Sequence, residues 1–254
     1  MTERVCPADP DLQAWLSPQR RQQVREWFGP AAGLLAESGG LRSVLKAWVE
    51  AELVVEAQWQ PASDLVEATA RWAEQMADRP ESLEQGLTAQ RLVARKLRKP
   101  ALQAWARAQW QHRLETLFLQ RKAELDQAAC RVLRVESHAL AQELYHRIQS
   151  DGESFALIAK RFGREADDGV IALRPLAELP NGLAPLLQRL QPGELSVPLA
   201  IGSRFALVQL DAWQPVSFDE AIQDQLLQQE LGSWIDAAVS QLVRELLPRP
   251  APLV

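Results

Sequence analysis

An α+β fold is predicted, with helices at both ends of the chain and a small sheet between them. Three observations predict it. Residues 129–213 change period along their length, from apolar alternation around Cys130-Arg131-Val132-Leu133 to helical spacing through Ala141, Leu144 and Ile148, then back to alternation from Phe205 to Leu210. Residues 12–128 carry helical spacing interrupted only by glycine and proline breakers. Residues 217–247 form one long helical pattern closed by Pro248 and Pro250.

In chain order, 12–28 and 41–59 read as helices separated by Gly29-Pro30 and Gly39-Gly40, and Pro61 stops the second. Residues 64–76, rich in alanine and glutamate, suit a third helix. Pro80 disfavours continuation and Glu81 suits the first turn of a new helix. Residues 88–99 place Leu92, Arg95, Lys96 and Arg98 on one helix, whose basic face suits solvent or an acidic partner, solvent being the simpler reading. Pro100 is expected to interrupt that helix, and 101–128 to follow as a long helix leading into a strand at Ala129. The expected division is a helical domain over 1–128, an α+β domain over 129–213, and a linker, helix and tail over 214–254.

Within 129–213 the expected order is strand, helix over 141–148, and a second short helix over 154–163, with Ser154 as N-cap and Gly163 closing it in a left-handed turn. Gly169-Val170-Ile171-Ala172-Leu173 reads as a buried strand, 183–190 as a short helix, and 195–201 with 204–213 as a closing hairpin. Beyond Gln214-Pro215-Val216, Ser217 and Glu220 have capping-box spacing at the head of the last helix.

Composition bounds the function. The 254 residues are 47% hydrophobic and 24% charged, enough apolar material for a packed core rather than disorder. A formal net charge of −5 argues against a general binder of nucleic acid or anionic membrane. Cys6 and Cys130 lack the spacing of a zinc site or redox pair, and Cys130, at the edge of an apolar strand, reads as a structural thiol. His112, His138 and His146 do not form a metal constellation, and the nine tryptophans are spread over several helices as packing residues. No metal or other cofactor is expected. Without a continuous apolar leader or a long apolar run, membrane insertion is not expected and the location is expected to be cytoplasmic.

The punctuation of 129–213 carries a resemblance. Gln191-Pro192-Gly193-Glu194-Leu195-Ser196-Val197-Pro198 resembles the Pro-Gly-Glu-(Ile/Leu)-Ser-x-Pro entry to the last hairpin of parvulin-type (PpiC-like) peptidyl-prolyl isomerases. Residues 141–162, with Phe155-Ala156 and Ala159, resemble the family's first two helices, and 204–210 resemble its terminal strand. The likeness covers about a third of the chain. The stretch from Trp110 to Lys122 is similar to a segment of a cyanobacterial group of soluble parvulin-like proteins that also carry a helical region ahead of this domain.

The resemblance implies a foldase that rotates X-Pro peptide bonds in unfolded or partly folded protein clients, possessing a helical domain that holds them. The alternative it implies is a chaperone or export adaptor that binds peptides without efficient turnover, with export machinery as a further partner. It also implies that the last helix returns to the N-terminal helices, which the apolar stripe Leu226, Leu227, Leu231, Trp234 and Val239 suits.

The resemblance assigns site residues as well. Leu179 stands where the family's pocket has methionine and Leu183 where it has phenylalanine, so the apolar character is kept. Gln188 replaces a second phenylalanine and makes one wall more polar. Val132 and Ala206 occupy the positions of the family's paired histidines, so the polar support of the site floor is missing and weak activity is expected. Glu165 is the nearest match to the family's cysteine or aspartate after the second helix, and Glu165, Asp167 or Asp168 would place negative charge near the twisting carbonyl.

Overall fold

The computed structural model describes residues 10–81, 87–163, 169–180 and 182–247. The chain divides into two compact units, one made of Met1–Glu115 with Asp219–Val254 and the other of Thr116–Phe218.

The first unit is helical. Its described helices are Leu12–Trp15 (α1), Pro18–Phe28 (α2), Ala32–Glu37 (α3), Leu41–Ala57 (α4), Ser63–Ala77 (α5), Ala89–Trp110 (α6) and Glu220–Leu246 (α11). The helix expected over 12–28 is broken in two. Pro18 has no N–H to donate, and the Ser17 hydroxyl takes the Arg20 N–H at 3.3 Å, so a new helix begins there. The interruption expected at Pro100 does not occur: α6 runs through it. Leu92 on one side and Ala101, Leu102 and Trp105 on the other are buried, and that packing outweighs the lost hydrogen bond. The chain breaks instead in a short 3-10 turn, Gln111–Arg113, and Leu114–Leu125 (α7) follows.

Helix α11 packs on α2, α4 and α6, as the apolar stripe requires. Leu226, Leu227, Leu231, Ile235, Ala238, Val239 and Leu242 are all buried. Trp234 stands edge-on to Trp15 (centroids 5.0 Å apart) and tilted to Trp105 (5.2 Å), and its indole N–H reaches the Pro10 carbonyl at 3.1 Å. Such aromatic pairs each add about 0.5–1.5 kcal/mol to their area burial. Ion pairs Arg107–Asp224 (2.6 Å) and Arg21–Glu245 close the edges. The cap of α11 differs from expectation: Asp219, rather than Ser217, accepts the Ile222 N–H at 2.9 Å. The helix expected from Glu81 runs into 82–86, and the closing prolines Pro248 and Pro250 follow Leu247; both stretches lie outside the described residues.

The second unit holds a four-stranded antiparallel sheet in the order β2-β1-β4-β3, built from Gln127–Val135 (β1), Val170–Pro175 (β2), Leu199–Ile201 (β3) and Arg204–Gln214 (β4). Helices His138–Gln149 (α8) and Phe155–Phe162 (α9) cover one face through Leu133, Val135, Leu144, Phe155, Ile158 and Leu207. The short helix Ala184–Leu187 (α10) and the turn Leu176–Glu178 cover the other, over Ala128, Cys130, Val132, Ala206, Val208 and Leu210. Consecutive residues Val132 and Leu133 thus enter opposite cores, as strand alternation demands.

Three local expectations are corrected here. Residues 170–173 are an exposed edge strand rather than a buried one, with Val170 53% and Leu173 44% exposed, because β2 pairs only with β1. The strand expected over 195–201 is reduced to Leu199–Ile201 plus a single bridge from Leu195 to Gln209, since Pro198 cannot donate to a ladder. Gly163 ends α9 in an extended conformation (φ −76°, ψ 153°), and Ser154, though N-cap by position, makes no side-chain cap bond. Glycine is required at 163 by close approach: a Cβ would collide with the Ala159 carbonyl.

Candidate active site

The turn between α10 and β3 is built by the motif that prompted the resemblance. Glu194 turns its carboxylate back onto the Gln191 N–H (2.8 Å), and the Gly193 N–H donates to the Leu210 carbonyl. Buried Ser196 then acts as a surrogate ladder residue. Its N–H donates to the Val208 carbonyl at 2.7 Å and its hydroxyl oxygen accepts the Val208 N–H at 3.0 Å. This fixes the chain from Gly193 to Ile201 beside β4 and sets β3 opposite α10.

Leu179, Leu183, Val132 and Ala206 come together in one apolar cluster beneath α10. Val132 is paired with Val208, so Ala206 is its diagonal neighbour on the same sheet face. Leu183, the N-cap of α10, and Leu187, its last residue, lie one turn apart and are both fully buried, while Leu179 is 7% exposed. The floor made by Val132 and Ala206 therefore offers no polar side chain. Gln188 lies elsewhere, on the far flank of α10, where its amide donates to the Ala123 carbonyl at 3.3 Å in a second groove of ≈ 360 Å³ lined also by Leu176, Ala177 and Pro185. Glu165, Asp167 and Asp168 lie outside the described residues.

The open space beside the cluster is a groove of ≈ 500 Å³ between α10 and the β3–β4 turn, lined by Pro185, Leu186, Arg189, Leu199 and Ile201 among others. Leu186 and Ile201 both line it and pack against the buried cluster, so they form the accessible wall of the same apolar body. Sequence reading missed these two. The signal available was spacing: with Leu183 and Leu187 turned inward, Leu186 must lie on the flank of α10, facing whatever strand follows the turn.

Burial, then the charge of Asp211, push the Cys130 thiol up to about 11 against the opposing pull of Arg174, so it stays protonated. Among the described residues no group of three histidine, cysteine or carboxylate side chains could hold a metal. His138 stands edge-on to Phe205 (5.1 Å) and His146 edge-on to Tyr145 (5.6 Å), and none of the three histidines lines the groove. What the arrangement offers a ligand is an apolar slot walled by aliphatic side chains, beside an edge strand and one guanidinium, which suits a compact apolar ring flanked by peptide backbone.

Residues 123–212 match the family described as rotamase, the PPIC-type PPIase domain. No curated protein matches the chain. Among solved structures the chain is similar to the peptidylprolyl isomerase PrsA of Bacillus cereus, at 15% identity over 87% of each chain with a TM-score of 0.47. It is similar also to the foldase protein PrsA of Streptococcus pneumoniae, at 15% identity over 90% of each chain (TM-score 0.46). A third similarity is to a structure described under two SurA-like chaperones of Campylobacter jejuni, PEB4 and Cj1289, at 12% identity over 92% of this chain and 95% of that one (TM-score 0.34). Among the described residues no helix is long and apolar enough to cross a membrane.

Proposed function

We propose that the chain is a peptidyl-prolyl cis-trans isomerase acting on X-Pro bonds of unfolded or partly folded proteins, with weak turnover. The observation that carries this reading is the match of 123–212 to the PPIC-type domain, on a unit whose open groove is apolar and of a size for a proline ring.

The reaction breaks no bond. Amide resonance opposes rotation with a barrier of about 18–20 kcal/mol. An isomerase lowers it by holding the twisted amide more tightly than either planar form. In the proposed site Leu179 and Leu183 back the wall, Leu186 and Ile201 receive the ring, and Arg189 faces the flanking backbone. Gln188 gives the neighbouring groove, rather than this one, a polar wall, and Glu165 supplies negative charge near the carbonyl. With Val132 and Ala206 as floor, no side chain there supports the twisted amide by hydrogen bonding, hence the weak turnover. The proposal includes a client-holding role for the helical region over 1–128, the isomerase domain over 129–213 and the closing segment 214–254. It includes kinship with the cyanobacterial group, and a cytoplasmic location, which the unpaired buried thiol of Cys130 suits and cell fractionation tests.

Exchange kinetics on a panel of short X-Pro peptides test the central claim: a rate above the spontaneous one is expected. A protein that binds the peptides with no added rate would instead be a chaperone or export adaptor. That reading is favoured by the apolar pair Val132 and Ala206 and by the complete burial of Leu183.

A further inference from the structure

The basic stretch of α6 borders a groove in the helical unit. Arg95, Arg98 and Lys99 line it together with Leu102 and Gln103 of the same helix, Glu50 of α4, and Gln228 and Leu231 of α11. The groove measures ≈ 320 Å³. Its floor is apolar, since Leu102 and Leu231 are each only 8% exposed, and its rim is cationic.

The rim is unevenly compensated. Arg98 is held by the Glu50 carboxylate at 3.4 Å, so that charge is partly satisfied within the fold. Arg95 and Lys99, one helical turn apart, are exposed and have no carboxylate partner among the described residues. Two like charges at i and i+4 repel, which costs helix stability unless an anion is shared between them. The concentration is local, because the whole chain carries a net charge of −5. An acidic client would thus be repelled by the protein as a whole and attracted at this rim.

We propose that this groove binds an acidic, leucine-bearing polypeptide segment. A carboxylate on the segment would bridge Arg95 and Lys99 while an aliphatic side chain covers Leu102 and Leu231. The groove lies wholly within the helical unit, so the claim stands apart from the isomerase reading, and X-Pro exchange kinetics report on that reading separately.

The test uses the full chain and fluorescence anisotropy with a short labelled peptide of glutamate and leucine, beside the same peptide with glutamine for glutamate. The glutamate peptide is expected to bind, to weaken as salt rises, and to lose about tenfold in affinity on the double substitution Arg95→Glu with Lys99→Glu. Both positions are exposed, and an unchanged melting temperature and X-Pro exchange rate would show the fold intact. Equal binding of the glutamine peptide, or no loss in the double variant, overturns the proposal. So does tighter binding of an oligouridylate or of phosphatidylglycerol vesicles that the same double variant abolishes, since the rim would then serve nucleic acid or lipid.

Discussion

The Asp126 carboxylate accepts the backbone N–H of Val216 at 2.8 Å, joining the residue that precedes β1 to one that follows β4. The same oxygen takes the Lys122 ammonium at 2.7 Å, and the Asp126 carbonyl takes the Leu176 N–H at 2.9 Å. A single residue, 8% exposed, thus ties together the entry, the middle and the exit of the isomerase-like unit. Nothing in its sequence context marks it, since it reads as one more acidic residue at the end of a helix.

Asp126→Ala is expected to destabilise this unit by about 1–2 kcal/mol, the cost of leaving a part-buried N–H without its charged acceptor. Lys122→Ala should cost less, about 0–1 kcal/mol, because that ammonium is partly solvated. Denaturant titration of both variants measures the difference, and equal losses would show that the ion pair rather than the backbone clasp matters.

Ser196→Ala removes the acceptor of the Val208 N–H from a site only 2% exposed. A loss of about 1–3 kcal/mol is expected, with faster hydrogen exchange at Val208. Ser196→Thr keeps the hydroxyl and should recover part of both.

Leu183→Glu places a charge where no water reaches, and the expected result is an unfolded second unit rather than a selectively inactive site. Ile201→Glu alters the open groove instead. It should leave the circular dichroism spectrum unchanged and lower X-Pro exchange about tenfold, equivalent to about 1.4 kcal/mol of twisted-state binding. An Ile201→Glu variant with full activity would move the proline slot elsewhere.

Cys130 predicts an alkaline slope in stability. Its native thiol titrates at about 11 against an ordinary value of 9.0. Between those values the unfolded chain has released the proton that the native chain keeps, so stability falls as pH rises through that window and is unaffected below it. Cys130→Ala should flatten the slope. At neutral pH the native thiol should react with alkylating reagents only as fast as the second unit opens.

Local pattern was enough for much of this protein. The stripes of α4 and α11 repeat every three or four residues, and the paired alternation of β1 and β4 repeats every two; such periods survive without knowledge of neighbours. The Gly193-Glu194-Leu195-Ser196 turn was equally legible, because its bonds close largely within a few residues and onto one strand. That α11 buries one face followed from its stripe, and its return onto the N-terminal helices was what the resemblance implied.

Tertiary structure decided the rest. The breaker logic that stops an isolated helix at Pro100 failed because buried neighbours on both sides keep α6 continuous. The apolar run 170–173 gave no sign that it would be an edge strand, since strand order is a property of the sheet and not of any one strand. Asp219 displaced Ser217 as cap because it is the Asp219 carboxylate that meets the Ile222 N–H. The candidate site shows the same division. The resemblance grouped Leu179, Leu183, Val132 and Ala206, and their types made the group apolar, but their depth, and the transfer of the accessible wall to Leu186 and Ile201, depend on how α10 lies across the sheet, a relation that exists only after the distant strands have paired.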